Sequence, residues 1–126
     1  MTFVKKASLV ILITGYLIAG ANHFVNPDTY LHIIPAYIPY PKLMNILSGG
    51  FELLFALMLI FQQTRSLAAW GIIVLLAVFL PVHIQMIFDA PFILGTLKVT
   101  PLVAWIRILL QPVLMLWAGW YVKIKR

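Results

Sequence analysis

Ser48-Gly49-Gly50-Phe51-Glu52 puts an acidic residue inside the apolar run Leu43 to Phe61, with Lys42 before the run and Arg65 after it. The run is close to the ~20 residues needed to cross a hydrocarbon core ~30 Å thick. An ionisable group at such depth is costly, and it marks a functional site by default. With ~1.5 Å of rise per residue, Glu52 sits ~15 Å inward of Lys42, near the midplane. Ser48 shares its face one turn nearer that end. Gly49 and Gly50 leave room for a neighbouring helix to come close.

Three similar runs flank this one. The first is Ala7 to His23, behind Lys5 and Lys6; the third is Leu67 to about Ile87; the last is Leu102 to Val122, closed by Lys123, Lys125 and Arg126. The chain has 126 residues, of which 63% are hydrophobic and 10% charged. Its mean hydropathy is +1.05. A soluble domain of this size could not hide that much apolar surface, so the lipid bilayer is the expected solvent and partner. The expected fold is all-α: one integral membrane four-helix bundle over residues 1–126, with helices about 7–23, 43–61, 67–87 and 102–122. The net charge of +6 falls at the ends of the apolar runs, which is a topology pattern and not a nucleic-acid surface. There is no cysteine, so disulfides, thiol redox chemistry, Fe–S ligation and Cys-type zinc sites are excluded for its own side chains.

Lys5, Lys6, the first run and Ala19-Gly20-Ala21 imitate a cleaved signal peptide. A retained helix is expected instead, because the remaining runs would otherwise number an odd three. Gly15 and Ala19 lie on one face of that helix, a pattern suited to close packing. The loop Phe24 to Lys42 opens with Asn26-Pro27-Asp28, which reads as a turn and helix cap. Pro35, Pro39 and Pro41 bar a regular helix beyond it, and Tyr30, Tyr37 and Tyr40 suit the headgroup zone. The loop reads first as an interfacial segment capping the bundle, and more sharply as a lid over a site. Gln62-Gln63-Thr64 is so short a connection that the second and third helices must be antiparallel neighbours. Pro81 should kink the third helix and free a backbone carbonyl. Pro112 is a second kink, and Phe88 to Thr100 is a loop.

With four crossings, Lys5, Lys6, Arg65, Lys123, Lys125 and Arg126 share one side, against Lys42 and Lys98 on the other. Six against two predicts both termini in the cytoplasm of a plasma-membrane protein. The polar residues are one-sided as well. Asn22 and His23 on the first helix, Ser48 and Glu52 on the second, His83 on the third, and Arg107 and Gln111 on the fourth all fall in the half away from the termini or at its inner edge. That asymmetry predicts an outward-opening polar pocket or a hydrogen-bonded knot. Arg107 and Glu52 are natural partners, since an unpaired charge in hydrocarbon is costlier than a paired one. Alternatively Arg107 snorkels while a protonated Glu52 bonds Gln111 or a carbonyl. His23 and His83 invite a bis-His haem; without a supporting ligand set, the expectation is hydrogen bonding at an interface. Gln85, ~200° around the helix from His83, should face the rim, and His32 should be solvated or interfacial.

The combination Gly20-Ala21-Asn22-His23-Phe24, Pro27, Tyr30, Ile34-Pro35 and Ile38-Pro39-Tyr40-Pro41 with the Glu52 stretch, Arg65, Ala68, Pro81-Val82-His83-Ile84-Gln85-Met86, Arg107 and Gln111 resembles the DoxX-like family of small four-helix membrane proteins. Relatives there often look like Pro-Ala-Asn-Ile where this chain has Pro81-Val82-His83-Ile84, which argues against His83 as an essential ligand. The resemblance implies an accessory subunit of a quinone-linked redox system, with Glu52, Arg107, Gln111 and His23 around a quinone headgroup and a partner redox subunit alongside. Two other readings stand beside it: a lipid-like small-molecule binding or transport protein, and a structural or assembly protein. No nucleotide loop, nucleophile motif or metal-binding spacing occurs, so a stand-alone enzyme of those kinds is not expected.

Overall fold

The computed structural model describes residues 1–123. Lys125 and Arg126, which weigh in the charge asymmetry, lie outside the described residues. The elements are α1 (Phe3–Val25), α2 (Pro27–Ile33), α3 (Pro41–Ile60), α4 (Gln62–Val78), α5 (Leu80–Asp89), β1 (Phe92–Leu94), β2 (Leu97–Val99) and α6 (Pro101–Gly119). Four helical stretches are long and apolar enough to cross a membrane: Phe3–Val25, Pro41–Ile60, Gln62–Asp89 and Pro101–Gly119.

The helices start earlier than the apolar runs because polar caps and prolines open them. Thr2 accepts a hydrogen bond from the Lys5 N–H and starts α1. Pro41 stands in the first turn of α3, where its missing N–H costs nothing. Thr100 accepts from the Val103 N–H at 3.2 Å, and Pro101 follows it to open α6. The expected three-residue connection after the second run shrinks to Phe61, and α4 begins at once. Arg65 makes this turn tight: its Nε and Nη2 donate to the end carbonyls of α3, Leu59 O at 2.8 Å and Ile60 O at 3.0 Å. Thr64 Oγ1 donates to Met58 O as well. Carbonyls at a helix end that lack intrahelical donors are thus satisfied by side chains.

The third run bends where Pro81 demands it. Helix α4 ends at Val78, Phe79 is the joint, and Pro81 sits in the first turn of α5. Pro112 stays inside α6 without ending it. The segment expected as a plain loop before α6 contains a two-stranded antiparallel hairpin, Phe92 opposite Val99 and Leu94 opposite Leu97. Gly95 turns it at φ +61°, a left-handed conformation that glycine adopts without steric cost. The protein is therefore mostly helical but not purely so. Three-residue strands are too short to show alternation in the sequence.

Helix α1 packs along α3, α3 on α4, α4 on α6, and α5 on α6. Leu12, Leu59 and Ile72 are the large residues fully buried in the main core. At the end of the bundle where α1 begins, α1 is tied to the last turns of α6 and the residues just after it by Trp117 Nε1–H to Ser8 Oγ at 2.7 Å and by Tyr121 O–H to Lys5 O at 3.0 Å. A smaller cluster of Met86, Val99 and Ala104 joins α5, β2 and α6 in the opposite half. Helices α1 and α3 come close at Gly20 and Gly49. A Cβ on Gly49 would lie 2.6 Å from the His23 Cβ and 3.0 Å from Gly20 O. A Cβ on Gly15 or Gly50 would meet nothing within 4 Å, so the expected Gly15/Ala19 packing stripe is not where the helices meet. The outward faces of α1, α3, α4 and α6 expose Ile18, Leu54, Val74 and Leu116.

Candidate functional site

In the half opposite the termini the helices enclose a cavity of about 490 Å³. Its wall is largely apolar, and α1, α3, α5 and α6 each send polar groups into it. The apolar tip of the hairpin (Leu94 and Leu97) and Ile33, Ile34 and Ile38 close its loop end. Ile34 and Ile38 of the proline-rich segment thus line that end of the cavity.

Helix α3 supplies the central polar row. Ser48 and Glu52 are one turn apart on its inner face, as the sequence predicts, and Asn45 lies seven residues before Glu52 on the same face. Asn45 Nδ2–H donates to His23 O at 2.9 Å, and Asn45 Oδ1 lies 2.7 Å from His23 Nδ1. A carbonyl only accepts, so the first bond fixes the Asn45 amide and leaves Oδ1 as acceptor. His23 Nδ1 must then carry a hydrogen. His23 Nε2 faces Glu52 Oε2 at 3.4 Å. With Nδ1 as the donor, a neutral imidazole would present a lone pair to a carboxylate. The two atoms are in ion-pair contact at this distance, without a formed hydrogen bond between them. Ser48 spends its hydroxyl hydrogen on Met44 O at 2.7 Å and keeps acceptor capacity.

Tyr30, expected in the headgroup zone, is drawn inward. Its ring stacks on His23 with centroids 3.8 Å apart and an interplanar angle of 19°. Asn22 Nδ2–H donates to its hydroxyl oxygen at 2.8 Å. Burial raises the Tyr30 pKa; the Asn22 hydrogen bond opposes the shift and the Glu52 charge adds to it. The phenol is therefore a neutral hydroxyl at ordinary pH. Tyr37 and Tyr40 are exposed.

The expected Glu52–Arg107 pair is not formed. Arg107 Nη1–H donates to Gln111 Oε1 at 2.7 Å, one turn along its own helix. Gln111 is fully buried, and its Nε2–H donates to Leu76 O at 2.8 Å. That carbonyl is in the last turn of α4, beside the break at Phe79, so one carbonyl at the break is satisfied from α6. Gln111 thus prefers a strong backbone acceptor to Glu52. Among the described residues, Glu52's ion-pair partner is His23, not Arg107.

Of the residues singled out by sequence, His23, Ser48, Glu52, His83 and Arg107 line the cavity together. Asn22 and Gln111 do not; they hold Tyr30 and Arg107 in place from behind. Asn45 and Tyr30 are additions. Heptad spacing from Glu52 would have revealed Asn45, whereas the stacking of Tyr30 depends on how α2 folds back. Gln85 turns to the rim and bonds Asp89 at 3.0 Å, and His32 is exposed, both as expected. Glu52 is 5% exposed and His83 8%, yet Glu52 Oε2 and His83 Nδ1 have no hydrogen-bond partner. Buried polar atoms are rarely left so. The site holds a protonatable pair, a cation and unspent hydrogen-bonding capacity around an apolar chamber.

The family model that matches this sequence covers residues 12–122 and is described as a domain of unknown function (DUF8561). This overturns the DoxX-like resemblance, which no family match supports. The fragments that carried it are mainly prolines, glycines and buried polar residues, and helical membrane proteins use these for breaks, close approach and pockets whatever their ancestry. No curated protein matches the chain, and no solved structure does. The match spans most of the sequence, and the chain belongs to the DUF8561 family.

Proposed function

We propose that this is a multi-pass membrane protein that binds an amphiphilic small molecule, apolar in its body and bearing an oxygen acceptor in its head, in the cavity between α1, α3, α5 and α6. The observation that carries this reading is the buried His83 Nδ1, which has no hydrogen-bond partner at the wall of an apolar chamber, beside Glu52 Oε2, which His23 Nε2 contacts at 3.4 Å without a formed hydrogen bond. A purely structural polar knot would satisfy its own members. The chamber is within the ~300–1,000 Å³ usual for small-molecule sites, which pair apolar walls with a few placed polar groups.

The head is specified by what the site lacks. Arg107 has five N–H donors, and among the described residues its hydrogen bond is to the neutral Gln111 amide. A guanidinium in such surroundings favours a carboxylate or a polarised carbonyl. The His23–Glu52 pair can donate or accept a proton at the head, and His83 can accept or donate one hydrogen bond. A long-chain carboxylic acid and a quinone both meet these demands. The accessory redox reading rested on the resemblance to another family and no longer has that support.

The four apolar helices and their exposed apolar faces favour a bilayer around the bundle. The excess of Lys and Arg near the termini favours both termini in the cytoplasm of a plasma-membrane protein. In that orientation the cavity lies in the outer half.

Binding of a fluorescent long-chain carboxylic acid, the matching primary alcohol and a short-chain quinone to detergent-purified protein tests the site. The acid and the quinone are expected to bind about 10-fold or more tightly than the alcohol, the scale of one charge-assisted hydrogen bond. Arg107→Gln should erase the preference, and Arg107→Lys should retain part of it. Equal binding of all three probes, or an unchanged preference in Arg107→Gln protein of normal thermal stability, would overturn the reading.

A further inference from the structure

A second cleft, about 520 Å³, lies at the opposite end of the bundle, among the start of α1, the α3–α4 turn and the residues after α6. Lys5, Arg65 and Lys123 line it, with Ser66 and Trp120. Of the chain's three acidic residues, Asp28 and Asp89 lie at the other end of the bundle and Glu52 lies near the middle of α3, where it lines the other cavity. Among the described residues no acidic side chain is available in this cleft to neutralise these cations. Lys5 and Arg65 are held in place, Lys123 is exposed, and its backbone is tied down beside them. The Lys5 ammonium rests 5.5 Å from the Trp120 ring centre and 5.6 Å from that of Tyr121, while Tyr121 O–H bonds the Lys5 carbonyl. The Lys123 N–H donates to Ser66 Oγ at 2.9 Å, tying the end of the chain to the start of α4. Arg65 is anchored on the α3 carbonyls.

We infer that this cleft binds the phosphate of an anionic phospholipid. Two anchored cations, Lys5 and Arg65, and the exposed Lys123 surround one hollow, and a phosphate is the hard, multivalent acceptor that such a set suits. A lipid is favoured over free phosphate because the cleft borders apolar surface. Trp120 is a half-exposed aromatic at the level where such rings mark a membrane interface, and Phe3, Leu67 and Leu116 stand exposed on the adjoining helices. Acyl chains can run along those faces while the headgroup sits among the cations. This site rests on the membrane-spanning reading but is independent of the cavity at the other end.

The test is thermal unfolding of detergent-purified protein titrated with phosphatidylglycerol or phosphatidylcholine, with and without excess inorganic phosphate. Phosphatidylglycerol is expected to raise the unfolding temperature at lower concentration than phosphatidylcholine. The Lys5→Gln/Lys123→Gln double variant should lose about fivefold of that preference per lysine, the scale of one basic residue near an anionic lipid. Lys42→Gln/Lys98→Gln, at the opposite end, should keep the preference. Equal response to the two lipids, an unchanged preference in the Lys5/Lys123 variant, or full displacement by inorganic phosphate would each overturn the lipid site. Failure of the membrane-spanning reading would show separately, as equal labelling of cysteines placed at the two ends of the bundle in sealed vesicles.

Discussion

Gly49 shows how much one hydrogen atom decides at the helix crossing. The methyl of an alanine there would press on the His23 Cβ at 2.6 Å, the Phe24 ring at 2.9 Å and Gly20 O at 3.0 Å. Two of those three contacts are main-chain or Cβ atoms that cannot rotate away. Gly49→Ala is expected to cost about 1–3 kcal/mol, the usual penalty of overpacking, and to disturb His23 in the site. Gly50→Ala, next to it but open to its surroundings, should be neutral or stabilising. Thermal unfolding of the two variants in one detergent checks the contrast. The sequence shows two adjacent glycines and no difference between them. Only the rotation of α3 against α1 makes one indispensable. Glu52 is similar: its burial is legible from the run around it, but its partner is not. Opposite charge points to Arg107, yet Gln111 captures it within α6, and Asn45 orients His23 towards Glu52 instead.

At the scale of elements, the ends of helices matter more than their middles, because a helix interior satisfies its own backbone and the ends do not. Thr100 is the clearest case. It caps α6, the helix that carries both Arg107 and Gln111. Thr100→Ala is expected to lower stability by about 1 kcal/mol, and Thr100→Ser to recover most of it. Hydrogen exchange should rise locally at Val103 and its neighbours in the alanine variant; exchange unchanged there would contradict the cap's role. The break between α4 and α5 was legible from Pro81 alone. That Gln111, 35 residues away in sequence from the carbonyl it serves, would supply a donor at the break was not, since it depends on α6 packing against α4. The hairpin before α6 was illegible because its strands are short and its sole local signal is Gly95.

For the whole molecule, the lack of native cysteine makes topology directly measurable. Single cysteines at Thr96, on the hairpin turn, and at Gln63, beside the α3–α4 turn, occupy exposed positions at opposite ends of the bundle. In right-side-out membrane vesicles an impermeant maleimide is expected to label Thr96→Cys at once and Gln63→Cys only after permeabilisation. The reverse pattern would invert the orientation, and equal labelling of both would deny the membrane crossing. The two ends also differ in chemistry. One carries an apolar chamber with a His–Glu pair, and the other carries cations that have, among the described residues, no acidic side chain beside them.

The amino-acid sequence by itself determined the four apolar helices, their antiparallel short connection, the break at Pro81 and the concentration of polar residues in one half. Each of these follows from local properties: run length, hydropathy, and a residue without an N–H. The stretch from Ser48 to Glu52 also declared that a carboxylate would be buried. Tertiary structure alone decided that Glu52 meets His23, that Asn22 and Gln111 serve as supports, and that Tyr30 and Asn45 join the site. The reason is physical. Hydrogen-bond partners in a low-dielectric interior are selected by helix rotation and by competition among all nearby donors and acceptors, and neither is encoded in the spacing of any single helix.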